Sequence, residues 1–174
     1  MLAWALSRWL GIRPFDRLDL TPAAVIIGAA ASAPLLLGLW WTLSTRVRSV
    51  RRLVELVQAQ LGPVLASRSS LELALLATLA GAAEETLFRG VVQVWLARAM
   101  PEELALVVAG ALFGAAHFVT PMYALLAAMA GIYLGAVFWA QGNLLVPLVA
   151  HALYDFVALT YLVHRHPTGP RSPD

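Results

Sequence analysis

The chain has no cysteine and no lysine, and little charge of either sign. Without cysteine there is no thiol nucleophile, no disulfide and no thiolate metal site. All the basic residues are arginine, a usage we read as that of a GC-rich, bacterial coding sequence. Charged residues make up 13% of the 174 residues, about half the share found in soluble domains. The net charge of +2 is small and scattered, which excludes a nucleic-acid footprint. Apolar residues stand in the place of the missing charge: 60% of the chain is hydrophobic, against about 45–50% in soluble domains. The length suits one domain, and the composition puts that domain in a lipid bilayer.

A membrane-spanning helix needs about 20 mostly apolar residues. Residues 23–43 meet that requirement without a single charge and end near Trp40-Trp41, a pair suited to the interface. Further spans are expected at 71–99, ended by Pro101, at 103–119, at 121–140 and at 143–163. Thr120-Pro121 reads as the N-cap and first turn of one helix, and Asn143 as the N-cap of the next. Ahead of the spans, Trp4, Trp9, Arg8, Arg13 and Arg17 mark residues 1–22 as a segment lying in the membrane interface. A cytosolic amphipathic helix without lipid contact is the alternative. The arginine-rich stretch 44–70 falls in the cytoplasm by the positive-inside rule. Its residues 51–70 read as a surface helix and loop punctuated by Gly62-Pro63.

The expected fold class is thus all-α, a polytopic transmembrane bundle of about five spans plus an N-terminal interfacial segment. Its parts are the segment 1–22, a first span with the arginine-rich loop over 23–70, a motif-bearing core over 71–163 and a polar tail over 164–174. Five spans put the N-terminus outside and His164-Arg165-His166 inside. Gly110-x-x-x-Gly114 and Gly131-x-x-x-Gly135 have the spacing of close helix packing in lipid, which a chain rich in Ala and Gly also offers by chance.

Against this apolar background three polar interruptions stand out: Glu84-Glu85 with Arg89, then His117, then His151 with Asp155. A charge at mid-bilayer costs about 2.5–3.5 kcal/mol or more, so these residues must face the protein interior or a watery cavity. Glu85 and Arg89 stand at i and i+4 in the favourable order and can neutralise each other on one face. Glu84 lies about 100° round the helix, with Phe88 rather than Arg89 a turn along its own face. It is left without an in-helix counter-ion, as suits a general base. Phe113 and His117 share a face one turn apart, as do His151 and Asp155. Two carboxylates and two imidazoles on three helices can hold and activate a water, or bind a metal.

The stretches EETLFR, FGAAH and HALYD match, in order, the motifs EExxxR, FxxxH and HxxxN/D. In these residues the chain resembles the CAAX-protease and bacteriocin-processing (CPBP, or Abi) family of intramembrane proteases, over roughly residues 70–160. The resemblance implies that Glu84, with His117, activates a water to attack a peptide carbonyl. It implies that His151 and Asp155 stabilise the oxyanion, with Glu85, Arg89 and Phe113 in support. The eukaryotic CAAX endopeptidase has Asn at the place of Asp155. An ionised Asp would repel an oxyanion, so Asp155 is protonated, orients His151 or binds a metal.

No cofactor is expected; if a metal takes part, Glu84, His117 and His151 would ligate zinc and leave one position for water. The expected function is hydrolysis of a hydrophobic or lipidated, CAAX-like peptide within the bacterial cytoplasmic membrane. The chain is short for the family, which leaves room for an oligomer or a partner subunit. Two rivals make different predictions. A non-proteolytic scaffold or immunity-type partner would keep its function in Glu84→Gln, and a proton or ion carrier would show pH-dependent flux.

Overall fold

A computed structural model of the chain describes residues 2–165. These residues form helices and turns and no strand: α1 Leu2–Leu10, a 3-10 turn Pro14–Arg17, α2 Pro22–Ser44, α3 Arg48–Leu65, α4 Ser70–Leu87, a π-helical turn Phe88–Gln93, α5 Val94–Leu96, α6 Glu102–Ala116, α7 Pro121–Gln141 and α8 Leu145–Arg165. The all-helical class expected from sequence is what the chain adopts. Residues 166–174, most of the expected polar tail, lie outside the described residues.

Several helix ends follow from the sequence. Thr21 caps α2 by accepting from Ala24 N at 3.2 Å, with Pro22 in the first turn. Ser69 and Glu72 form a capping box on α4. Thr120 caps α7 by accepting from Tyr123 N at 3.1 Å, with Pro121 behind it as expected. Asn143 Oδ1 accepts from Leu145 N at 3.0 Å, and also from Asp19 N at 3.1 Å, so this residue both starts α8 and ties down the N-terminal segment.

Gly62-Pro63 does not break α3, which runs on to Leu65. Proline removes one backbone donor, and the carbonyl it deprives, that of Ala59, lies at an exposed position where solvent can satisfy it.

Of the five expected spans, three or four find support by helix length and apolarity. α2, α7 and α8 are long and apolar enough to cross a membrane, and a fourth span counts if Arg48–Leu65 and Ser70–Leu96, bent by 120°, are taken together. α6 has 15 residues and rises only about 22 Å, short of a hydrocarbon core of about 30 Å. It forms instead the shorter arm of a hairpin with α7, whose tip at 117–120 carries the exposed Phe118 and Val119. Exposed Ile26 and Leu37 on α2, Leu75 and Leu79 on α4, Leu125 and Met129 on α7 and Val157 on α8 form an apolar exterior. In water such a surface would aggregate, and in lipid it is at home.

Close helix contact is bought with small residues. A Cβ on Gly110 would sit 2.6 Å from Ile132 N, and one on Gly131 would sit 3.1 Å from Gly110 Cα. Gly110, Gly114 and Gly131 lie in the α6–α7 interface and Gly135 faces Gln93, which decides the packing reading over coincidence. Gly110→Ala forces two backbones apart and is expected to cost about 1–3 kcal/mol, read as a lower unfolding midpoint in detergent.

Candidate active site

Three helices deliver the polar residues to one place. Along α4 the buried stripe is Leu73, Ala77, Gly81 and Glu85, every fourth residue, and it faces α8: a Cβ on Gly81 would meet Ala152 N at 3.3 Å. Glu85 belongs to this stripe and is fully buried, whereas Glu84, one position round, is 31% exposed. The two adjacent carboxylates therefore live in different surroundings.

Glu85 Oε1 accepts from Arg89 Nη1 at 3.0 Å and from His151 Nδ1 at 2.8 Å. Arg89 then spends Nη2 on the carbonyl of Gly131 at 2.6 Å, and one turn later Gln93 Nε2 donates to the carbonyl of Gly135 at 3.1 Å. The π-helical turn carries both of these side chains, and through them α7 is tied to the motif helix. The guanidinium also lies over the Phe113 ring, 4.9 Å from its centroid. The Glu85–Arg89 pairing read from spacing is present, and it is one part of a larger buried network.

His117 is the residue at which α6 ends, its backbone N–H bonding to Phe113 and Gly114 carbonyls. Its Nδ1 lies 2.8 Å from Phe113 O. A carbonyl only accepts, so Nδ1 carries the hydrogen and Nε2 is turned toward α4. The ring stacks on Phe113 at 4.3 Å, and Phe113 meets the His151 ring edge-on at 5.9 Å.

The resulting cluster is compact. Glu84 Oε2 lies 3.5 Å from His117 Nε2 and 3.9 Å from His151 Nε2, and Asp155 Oδ2 lies 3.5 Å from the same His151 nitrogen. Glu84, His117, His151 and Asp155, separated in sequence, are thus brought together. Glu85, Arg89 and Phe113 support them from beneath. Glu84 Oε2 makes no hydrogen bond. Beside it runs a largely apolar groove of about 1410 Å³, bounded by α1, the 3-10 turn, α4 and the start of α8, with Glu84 in its wall.

Sequence reasoning missed the Glu85–His151 bond, Gln93, the Gly131 carbonyl as acceptor for Arg89, and Tyr123, whose ring stands 6.2 Å from that of His117. A buried glutamine one turn after Arg89 was the available signal for Gln93. Tyr123 had none beyond its place in the first turn after Pro121.

Among the described residues no group of three His, Asp or Glu side chains is arranged to hold a metal ion. The mechanism proposed below uses Glu84, His117 and His151 directly and passes no step through a metal.

An all-helical bundle with a lipid-suited exterior and a polar cluster gathered between its helices is an integral membrane protein. A family model described as type II CAAX prenyl endopeptidase Rce1-like matches residues 66–157, more than half of the chain, and the chain belongs to this family of peptidases. The matched stretch runs from just before α4 into α8 and holds all three motifs. No curated protein gives a significant match, and neither does any solved structure.

Proposed function

We propose that the protein is an intramembrane endopeptidase that cleaves a hydrophobic or lipidated, CAAX-like peptide in the bacterial cytoplasmic membrane, with the core over 71–163. The observation that carries this reading is the approach of Glu84 Oε2 to Nε2 of both His117 and His151 within 4 Å, in the wall of the groove.

Water held between Glu84 Oε2 and His117 Nε2 gives its proton to Glu84 as its oxygen adds to the peptide carbonyl. With Nδ1–H spent on Phe113 O, His117 Nε2 acts as an acceptor and aims the water. The carbonyl oxygen takes the negative charge and is met by His151 as imidazolium, donating from Nε2. That form is supported by Glu85 at Nδ1 and by Asp155 on the Nε2 side. Collapse of the adduct breaks the C–N bond, and Glu84 returns the proton to the leaving amine, which balances the hydrolysis. Asp155 thereby orients and neutralises His151 rather than meeting the oxyanion itself. The groove supplies the apolar surface along which a lipidated peptide lies.

The test is incubation of the protein in nanodiscs with prenylated and unprenylated peptides, with each product's new amino terminus identified. On the proposed mechanism, in which glutamate and histidine alone activate the water, cleavage is expected to continue at an unchanged rate after chelation. Loss on chelation with recovery on added zinc would overturn the water-on-glutamate mechanism. No cleavage of any peptide, together with pH-dependent proton flux in liposomes, would replace the peptidase reading with that of a carrier.

A further inference from the structure

The three guanidiniums gathered at the N-terminal end of the bundle have no part in the proposed hydrolysis. A small polar pocket there, about 370 Å³, is lined by Arg13, Asp16, Arg17, Gly90, Arg98 and Phe138, among others. Arg98 is held in place by donating to the carbonyls of Leu10 at 3.0 Å and Gly11 at 3.1 Å, the free end of α1. Arg17 lies over the Phe138 ring at 5.9 Å. The Arg13 guanidinium makes no hydrogen bond or ion pair among the described residues, and the Asp16 carboxylate pairs with none of the three guanidiniums. The lining thus carries three cations against one carboxylate, and no protein group neutralises them.

This pocket shares Gly11, Ile12, Arg13, Pro14 and Asp16 with the apolar groove, so the two adjoin along this segment. In the same N-terminal segment Trp4, Trp9, Phe15 and Leu20 are exposed, 67%, 80%, 62% and 78% respectively. Aromatic and apolar side chains exposed beside arginines mark the depth of lipid head groups.

We propose that the pocket and groove together form a binding site for an anionic membrane phospholipid, its phosphate on Arg13, Arg17 and Arg98 and one acyl chain in the groove. Planar guanidinium forks match phosphate oxygens bidentately, and basic pockets between membrane helices take such head groups. A phospholipid matches the cations with its head and the apolar wall with its tail. The seated chain lies in the same groove as Glu84, so it shapes the space a peptide can use. This goes beyond peptide cleavage and is read by binding alone.

The experiment is lipid retention measured by native mass spectrometry, with protein released from nanodiscs of phosphatidylcholine containing a minority of phosphatidylglycerol. Wild type is expected to retain phosphatidylglycerol. Arg13→Gln with Arg17→Gln is expected to bind it about thirtyfold more weakly, at the strength of one surface arginine contact each. Arg98 is left in place because it holds α1. Leu79→Trp, which fills the groove from an exposed position, is expected to lower lipid retention in a protein whose arginines are intact. Equal phosphatidylglycerol retention by the double variant would overturn the proposal. So would inorganic phosphate that binds as tightly as the lipid, which would make the pocket a free-anion site. It would equally fail if amidating the carboxy terminus of a bound peptide weakened binding in wild type and not in the double variant, which would assign the arginines to peptide.

Discussion

Glu84→Gln is expected to lower kcat/KM for a lipidated peptide by about 10³–10⁴-fold while the protein remains folded. The size follows from the carboxylate's two duties, taking a proton from water and returning it to the amine, neither of which an amide can perform. The fold survives because Glu84 Oε2 makes no hydrogen bond that the amide would lose and the side chain is 31% exposed. The measurement is single-turnover cleavage in nanodiscs beside a thermal unfolding scan. A stable variant with near wild-type rates would remove Glu84 from the chemistry and leave a scaffold.

Glu85→Ala is expected to do something different in kind. It strips Arg89, 1% exposed, of its counter-charge and His151 of its Nδ1 partner. Removing one side of a buried ion pair costs about 3–5 kcal/mol, chiefly through the uncompensated charge that stays behind. The variant should therefore unfold at much lower denaturant or temperature in detergent. Glu85→Ala combined with Arg89→Ala should cost less than the two single changes summed, because the first already breaks the shared bond. A loss below about 1 kcal/mol for Glu85→Ala would mean that the pair is solvated like a surface bridge. One residue apart in sequence, the two glutamates are expected to separate cleanly, one in rate and the other in stability.

That separation was legible in advance, because helix geometry alone places Glu84 about 100° from Glu85. The membrane character, the capping of α7 by Thr120 and the glycine interface were also open to reading, since each rests on local spacing or composition. The span count was not. It depends on where helices stop, and α6 stops at His117 by closing its last turn onto Phe113 and Gly114 carbonyls, which apolar content does not announce. The π-helical turn over FRGVVQ was equally silent, since no residue type demands it. Arg89 and Gln93 find backbone carbonyls of α7, and a partner that is any residue's carbonyl leaves no trace in residue identity. The N-terminal segment was read as interfacial from its tryptophans and arginines. Its place as a wall of the groove comes from Arg98 and Asn143, which bind its backbone from far along the chain.

The distribution of the proposed catalytic groups over α4, α6 and α8 bears on biogenesis. Helices enter the membrane in order of synthesis, so Glu84 arrives first, His117 next, and His151 with Asp155 last. Until α8 docks on α4, Glu85 holds Arg89 alone and nothing meets an oxyanion. On the proposed mechanism, a hydrolase built this way is inert while its helices are unassembled and becomes active only as its own assembly is completed.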